Sequence, residues 1–232
     1  MPLIVLWDID HTLIENSGVS KEIYAAAFSA VTGQAAVRPA RTEGRTDRLI
    51  LSEMFRDHGM DPPEWGRIDQ ALTAAGAARE PALAQRGRAL PGAREALGAV
   101  TAEPGMVSSV LTGNIYANAR VKLRAFGLDA LLDLECGAYG ADSTDRAALV
   151  EVARDRIREA YDLPPGTPVV LIGDTPRDVR AAQDSGAHVV AVASGIHSAD
   201  ELRDSGATVV LPDLVDVAAL MRHLRSLAST VS

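Results

Sequence analysis

An open α/β fold, a parallel sheet with helices on both faces and an all-helical insert near its start, is predicted by three observations. From about residue 92 onward, short apolar runs of β type alternate with helical patterns, which is the signature of parallel strands joined by crossover helices. One further apolar run, Leu3–Trp7, stands at the beginning of the chain and supplies another strand. Between Glu15 and Leu90 the alternation stops, and amphipathic helical stretches replace it.

Taken in order, the strands are expected over 3–7, 106–112, 131–136, 168–173, 188–193 and 208–211. Helices are expected over 93–100, 117–126 and 147–161, the first opened by Pro91-Gly92 and the second closed by Gly127. The insert reads as helices over 21–32, 45–58 and 64–77, with hinges at 16–18 and 89–92 and no convincing strand. The expected domains are therefore a core of residues 1–15 and 91–232 and an α-helical insert of residues 16–90. An insert in the loop after the first strand lies over the rim of the sheet, where it controls access to whatever the rim carries.

Composition narrows the partners. The 232 residues carry a formal charge of -8 and 47% hydrophobic residues, enough for a core domain with a smaller insert. That charge disfavours nucleic acid or an anionic membrane as a partner. The chain enters its first apolar run directly after Met1-Pro2, without the charged start and long apolar stretch of a secretory signal, so a soluble cytoplasmic protein is expected. A single cysteine, Cys136, excludes an internal disulfide and reads as a packed side chain. Only two lysines occur, Lys21 and Lys122, so the other basic residues are arginines.

The chemistry-bearing residues stand where apolar runs end. Asp8 and Asp10 follow Leu3–Trp7, and Asp174 and Asp178 follow the run 169–173. If both strands share one parallel sheet, their carboxyl ends share the edge at which such sheets place ligands. Carboxylates crowded together require a cation or a shared proton. A strand-to-loop capping aspartate is the plainer reading of any one of them. Val110-Leu111-Thr112-Gly113-Asn114 ends another strand with a hydroxyl and a loop that reads equally well as a helix N-cap.

On these residues the chain resembles the haloacid dehalogenase-like hydrolase superfamily, whose core is Rossmann-like, and mainly its phosphatases with a helical cap inserted after the first motif. The first motif corresponds to Asp8-Ile9-Asp10-His11-Thr12, the second to Val110-Leu111-Thr112-Gly113-Asn114, and the fourth to Gly173-Asp174-Thr175-Pro176-Arg177-Asp178. The resemblance runs from Leu3 to about Leu220 and is nearest in layout to phosphoglycolate phosphatases. It implies a Mg²⁺-dependent phosphatase acting on a small, anionic phosphomonoester metabolite through an aspartyl-phosphate. Asp8 would be the nucleophile, and Asp10 the general acid and base, a double role that calls for a raised pKa. Mg²⁺ would be held by Asp8, the backbone carbonyl of Asp10 and Asp174. Thr112, Gly113 and Asn114 would hold the phosphoryl group, and Asp178 would orient metal-bound water or a basic residue.

The third motif departs from the pattern, because no lysine follows Lys122. Arg146 occupies the corresponding loop-to-helix position and would neutralise the phosphoryl group, while Lys122, about two turns or ~10 Å into its helix, is the rival. His11 replaces a frequent glycine, with leaving-group contact and a plain turn both open. Arg45, in Glu43-Gly44-Arg45-Thr46-Asp47, is a candidate to reach an anionic substrate from the insert, or a solvated helix start. A phosphomutase of the same superfamily and a non-catalytic phospho-accepting regulatory module are the alternative functions. The sequence leaves monomer and homodimer equally open.

Overall fold

The computed structural model describes residues 1–229. Its centre is a six-stranded, all-parallel sheet of order β5-β4-β1-β6-β7-β8, formed by β1 (Leu3–Trp7), β4 (Met106–Leu111), β5 (Asp133–Ala138), β6 (Val169–Gly173), β7 (His188–Val192) and β8 (Val210–Leu211). Every predicted strand is present, with ends shifted by at most two residues. The first strand lies between β4 and β6, with Trp7 level with Val110 on one side and Ile172 on the other. Chain order reverses across β1, which makes its carboxyl end the switch point of the sheet.

Both faces are covered, as the unbroken apolar runs require. Leu3, Val5 and Trp7 face α4 (Ala93–Ala102) and α9 (Val217–Ser229) and pack with Leu97, Leu220 and Leu224. Ile4 and Leu6 point the other way, onto Leu149 and Ala153 of α6 (Arg146–Tyr161) and Ala182 of α7 (Pro176–Asp184). The alternation of period two is therefore used on both sides of one strand. Trp7 satisfies its indole by donating to the Ser108 hydroxyl at 3.0 Å. Cys136 is buried, and desolvation pushes its thiol up to about 11, which leaves it a packing residue.

Three helices lie between the first strand and the rest: α1 (Val19–Thr32), α2 (Asp47–Asp57) and α3 (Trp65–Arg86). They share a cluster, including Ile23, Phe28, Ile50, Leu51, Phe55 and Leu72, with Ile115 of the core. Two expectations for this segment need correction. The helix expected to end at 77 continues to Arg86 through Pro81, which is exposed, so its ring and missing N–H do not disturb a packed face. Two short strands, absent from the sequence reading, flank the segment: β2 (Ile14–Glu15) pairs antiparallel with β3 (Arg88–Ala89). At two residues each, they are too short to give a periodic signal.

Candidate active site

The rim places the predicted carboxylates together. Asp8 follows the end of β1, and its N–H donates to the Ile172 carbonyl at 2.9 Å, extending the ladder by one residue. Asp174 follows β6, and Asp178 lies in the first turn of α7. One carboxylate oxygen from each of Asp8, Asp174 and Asp178 lies within 4.8 Å of the others, and all three residues are buried. Burial pushes the Asp8 carboxyl up to about 6 even though Arg146 opposes the shift, and the charges of Asp178 and Asp10 add to it. Burial and the charges of Asp178 and Asp8 likewise raise Asp174. Such a cluster of oxygen donors suits a hard divalent cation, which would relieve the crowding.

Arg146 binds two of these carboxylates. One guanidinium nitrogen lies 3.1 Å from Asp8 Oδ1 and 2.6 Å from Asp178 Oδ1, and Nε donates to Asp178 at 2.8 Å. Although burial disfavours its charge, Asp178 and Asp8 outweigh that cost and keep the group protonated. Asp178 has a second task as well. It closes a capping box with Thr175 at the start of α7.

Lys122 is also at the site, which corrects the distance argument made from its place in the helix. It lies on α5 (Tyr116–Ala125), yet its flexible stem brings Nζ to 2.6 Å from both Asp10 Oδ2 and Asn114 Oδ1, and the side chain is only 2% exposed. Helical rise measures backbone position and ignores the reach of four methylenes. Arg146 and Lys122 are thus partners of different carboxylates.

Asp10 departs from expectation in its proton affinity. Burial pushes its carboxyl up, but Lys122 and the bonds from Lys122 and Asn114 win and hold it below its ordinary value. Asn16 completes the cradle, donating to Asp10 Oδ1 at 2.8 Å while Asn114 Nδ2 donates to Oδ2 at 2.8 Å.

Thr112 follows β4 and accepts from both the N–H and the side-chain amide of Asn114, at 3.3 and 2.8 Å, which leaves its own proton free for an acceptor in the cavity. One expectation fails here: neither Thr112 nor Asn114 caps the following helix. The N-cap of α5 is Ile115, whose N–H donates at 2.8 Å to Asp47 Oδ2 from the helical segment.

Asp47 was missed by sequence reasoning, because an acid after Thr46 reads as an ordinary first-turn residue. It is fully buried, accepts from the Tyr24 hydroxyl at 2.6 Å, and its N–H donates to the Gly113 carbonyl at 2.7 Å. Burial pushes its carboxyl up to about 6, against the lowering effect of those bonds. Gly113 is needed at this contact, since a Cβ there would stand 2.0 Å from the Arg45 carbonyl.

These groups surround a cavity of about 220 Å³ lined from the rim by Asp8, Asp10, Thr112, Asn114, Arg146 and Asp174, and from the helical segment by residues that include Ser20, Lys21, Tyr24 and Arg45. Arg45 lines the cavity, with its guanidinium 3.5 Å from Glu53 and 3.9 Å from Glu43. His11 lines the cavity too, with Nδ1 3.2 Å from Glu15. Its φ of 63° is left-handed, which explains physically why glycine suits this position.

The chain is similar in sequence and in fold to known proteins. The sequence pattern of the family described as haloacid dehalogenase-like hydrolase matches residues 5–183. The chain is 26% identical over 233 residues to a probable phosphatase, IndB, of Dickeya dadantii, covering 99% of this chain and 98% of that protein. It is 27% identical to the phosphoglycolate phosphatase of Rhodospirillum rubrum, covering 94% of this chain and 90% of the other. The crystal structure of CbbY from Rhodobacter sphaeroides in complex with phosphate superposes with a TM-score of 0.69 at 20% identity, covering 94% of this chain and 96% of that one. No helix among the described residues is long and apolar enough to cross a membrane.

Proposed function

Because this chain belongs to the haloacid dehalogenase-like hydrolases, we propose that it is a Mg²⁺-dependent phosphatase that hydrolyses a small phosphomonoester through an aspartyl-phosphate on Asp8. The observation that carries the reading is the gathering of Asp8, Asp174 and Asp178 within 4.8 Å at the sheet rim, beside a buried arginine and a second carboxylate two residues from the first. The donors fit a hard cation, and Mg²⁺ would be held by Asp8, the Asp10 carbonyl and Asp174. When bound, it supplies charge neutralisation between a carboxylate nucleophile and a phosphate dianion.

The chain's own groups account for the other requirements. Asp8 stands at the floor of the cavity as nucleophile, and Arg146, 3.1 Å away, is placed to neutralise the phosphoryl oxygens as charge develops. The Thr112 proton, left free by the two bonds from Asn114, is offered to a phosphoryl oxygen. Asp10 is fixed by Asn16, Asn114 and Lys122 in the ionised state, ready to take a proton from the hydrolytic water; donating to the leaving alcohol requires it to take up a proton first. Residues 16–90 act as the cap that encloses the leaving group, and the small cavity favours a metabolite over a polymer. Phosphate release from a panel of phosphomonoesters, with and without Mg²⁺ and with Asp8→Asn as control, tests the reading; an Asp8→Asn protein that turns over like wild type overturns it.

A further inference from the structure

Asp47 belongs to the helical segment, is fully buried and stands outside the cavity, yet it holds the backbone of the loop offered to the phosphoryl group. A peptide group is a rigid plane, so a bond at either end orients the whole unit. The plane shared by Gly113 and Asn114 is held at its oxygen by the Asp47 N–H at 2.7 Å and at its nitrogen by the Thr112 hydroxyl at 3.3 Å. The next plane, shared by Asn114 and Ile115, is held at its oxygen by the Gly140 N–H at 2.8 Å and at its nitrogen by Asp47 Oδ2 at 2.8 Å. Asp47 thus grips the planes on both sides of the Asn114 Cα.

Those planes aim the Asn114 side chain. Its Nδ2 donates at 2.8 Å to Thr112 Oγ1 and at 2.8 Å to Asp10 Oδ2, and its Oδ1 accepts from Lys122 at 2.6 Å. A tilt at this Cα would therefore disturb Thr112 and Asp10 together. Attraction of an anion is not what Asp47 supplies, because a carboxylate beside the phosphoryl seat opposes incoming negative charge. Any benefit must come through geometry. Its other oxygen accepts from the Tyr24 hydroxyl of α1 at 2.6 Å, so two helices of the segment set one loop of the core.

We propose that Asp47 is a positioning residue whose carboxylate, delivered by the helical segment, sets residues 112–114 for phosphoryl binding, so that this part of the site is complete only while the segment is seated. This rests on the phosphatase reading for the identity of the bound group, and the test separates the two. Orthovanadate, a phosphoryl mimic, is titrated by calorimetry into Mg²⁺-loaded wild type, Asp47→Ala and Asp47→Asn at one pH, under conditions where urea unfolding shows each to be more than about 90% folded. Asp47→Ala keeps the backbone N–H but loses both side-chain bonds, and should weaken vanadate by about 10- to 100-fold. Asp47→Asn can still accept from Ile115, and should bind within about 3-fold of wild type. Mg²⁺ affinity, measured without vanadate, should be the same in all three, because Asp8 and Asp174 lie on other loops.

A purely structural Asp47 would change stability and leave the vanadate affinity of the folded protein alone. Vanadate bound by Asp47→Ala as tightly as by wild type, Asp47→Asn as weak as Asp47→Ala, or a parallel loss of Mg²⁺ affinity would each overturn the proposal. Should Asp47→Ala fail to fold, Asp47→Ser, too short to keep both side-chain bonds, takes its place with the same expectations. Failure of wild type to release phosphate from any ester, with the vanadate pattern intact, would count against the phosphatase reading alone.

Discussion

Lys122 holds Asp10 at 2.6 Å from within α5 and is itself only 2% exposed. The contact ties the depth of one helix to the charge state of a loop carboxylate. It also explains why Asp10, despite its burial, is held below the ordinary carboxylate range.

Replacing Lys122 by Met should therefore act on both stability and chemistry. With the ammonium gone, Asp10 loses its main opposing charge, its pKa rises, and its aim relaxes. We expect kcat to fall on the order of 10²-fold and stability to drop by about 1–3 kcal/mol, the lower range because Asp10 is partly exposed. Steady-state kinetics and urea unfolding check this, and a wild-type kcat would show that the contact has no catalytic consequence.

Arg146→Ala should cost more activity than Arg146→Lys. Alanine removes the cation that pairs with Asp8 among the described residues and leaves Asp178 with an unpaired buried oxygen, so a loss of about 10²–10³ in kcat is expected. Lysine keeps the charge but loses the fork that meets Asp8 and Asp178 together. Kinetics of the two variants side by side decide the matter, and equal activities would argue that the charge is irrelevant.

Chelation should destabilise the wild-type protein more than the Asp8→Asn protein. Asp8 is raised to about 6 by burial and by neighbouring like charges, so its ionised form at neutral pH is strained unless a cation relieves it. Added Mg²⁺ should then raise the wild-type melting temperature in a concentration-dependent way, and raise that of Asp8→Asn by clearly less. Thermal unfolding with EDTA or Mg²⁺ reads this directly; equal shifts would place the cation elsewhere.

Asp47 gives a pH signature of its own. Its folded carboxyl is raised from 3.8 to about 6, so the folded state holds a proton that the unfolded chain has already released. Its stabilising contribution is complete below pH 3.8 and is lost as pH rises through about 6, a change of at most about 3 kcal/mol. Asp47→Asn should remove that part of the slope. Urea unfolding of both proteins at pH 4.5 and pH 7.5 measures the difference, and parallel curves would contradict the assignment.

Much of the site was legible because its signals are local. An apolar strand that stops at Asp8, and another that stops before Asp174, announce themselves through periodicity and abrupt polarity. Arg146 was legible from its place before a helix. Asn16, Asp47 and Tyr24 were not, since each is an ordinary loop or helix residue until the helical segment folds back onto the rim. The reach of Lys122 was lost for a related reason: spacing along a helix locates the backbone, while the chemistry sits at the end of a long side chain. The β2–β3 pair was invisible because two residues cannot show a period.

That short pair has a mechanical consequence. The helical segment leaves the sheet and returns to it through neighbouring, hydrogen-bonded strands, it packs through α3 on α5, where Arg124 pairs with Glu80 at 2.8 Å, and its grip on the rim near Asp47 is made by the Gly113 carbonyl and the Ile115 N–H. Any exchange between the cavity and bulk water that proceeds by swinging the segment must release those two bonds and shift α3 on α5, while the paired strands flex. The rate of that concerted release sets an upper limit on how fast a product could depart by this route.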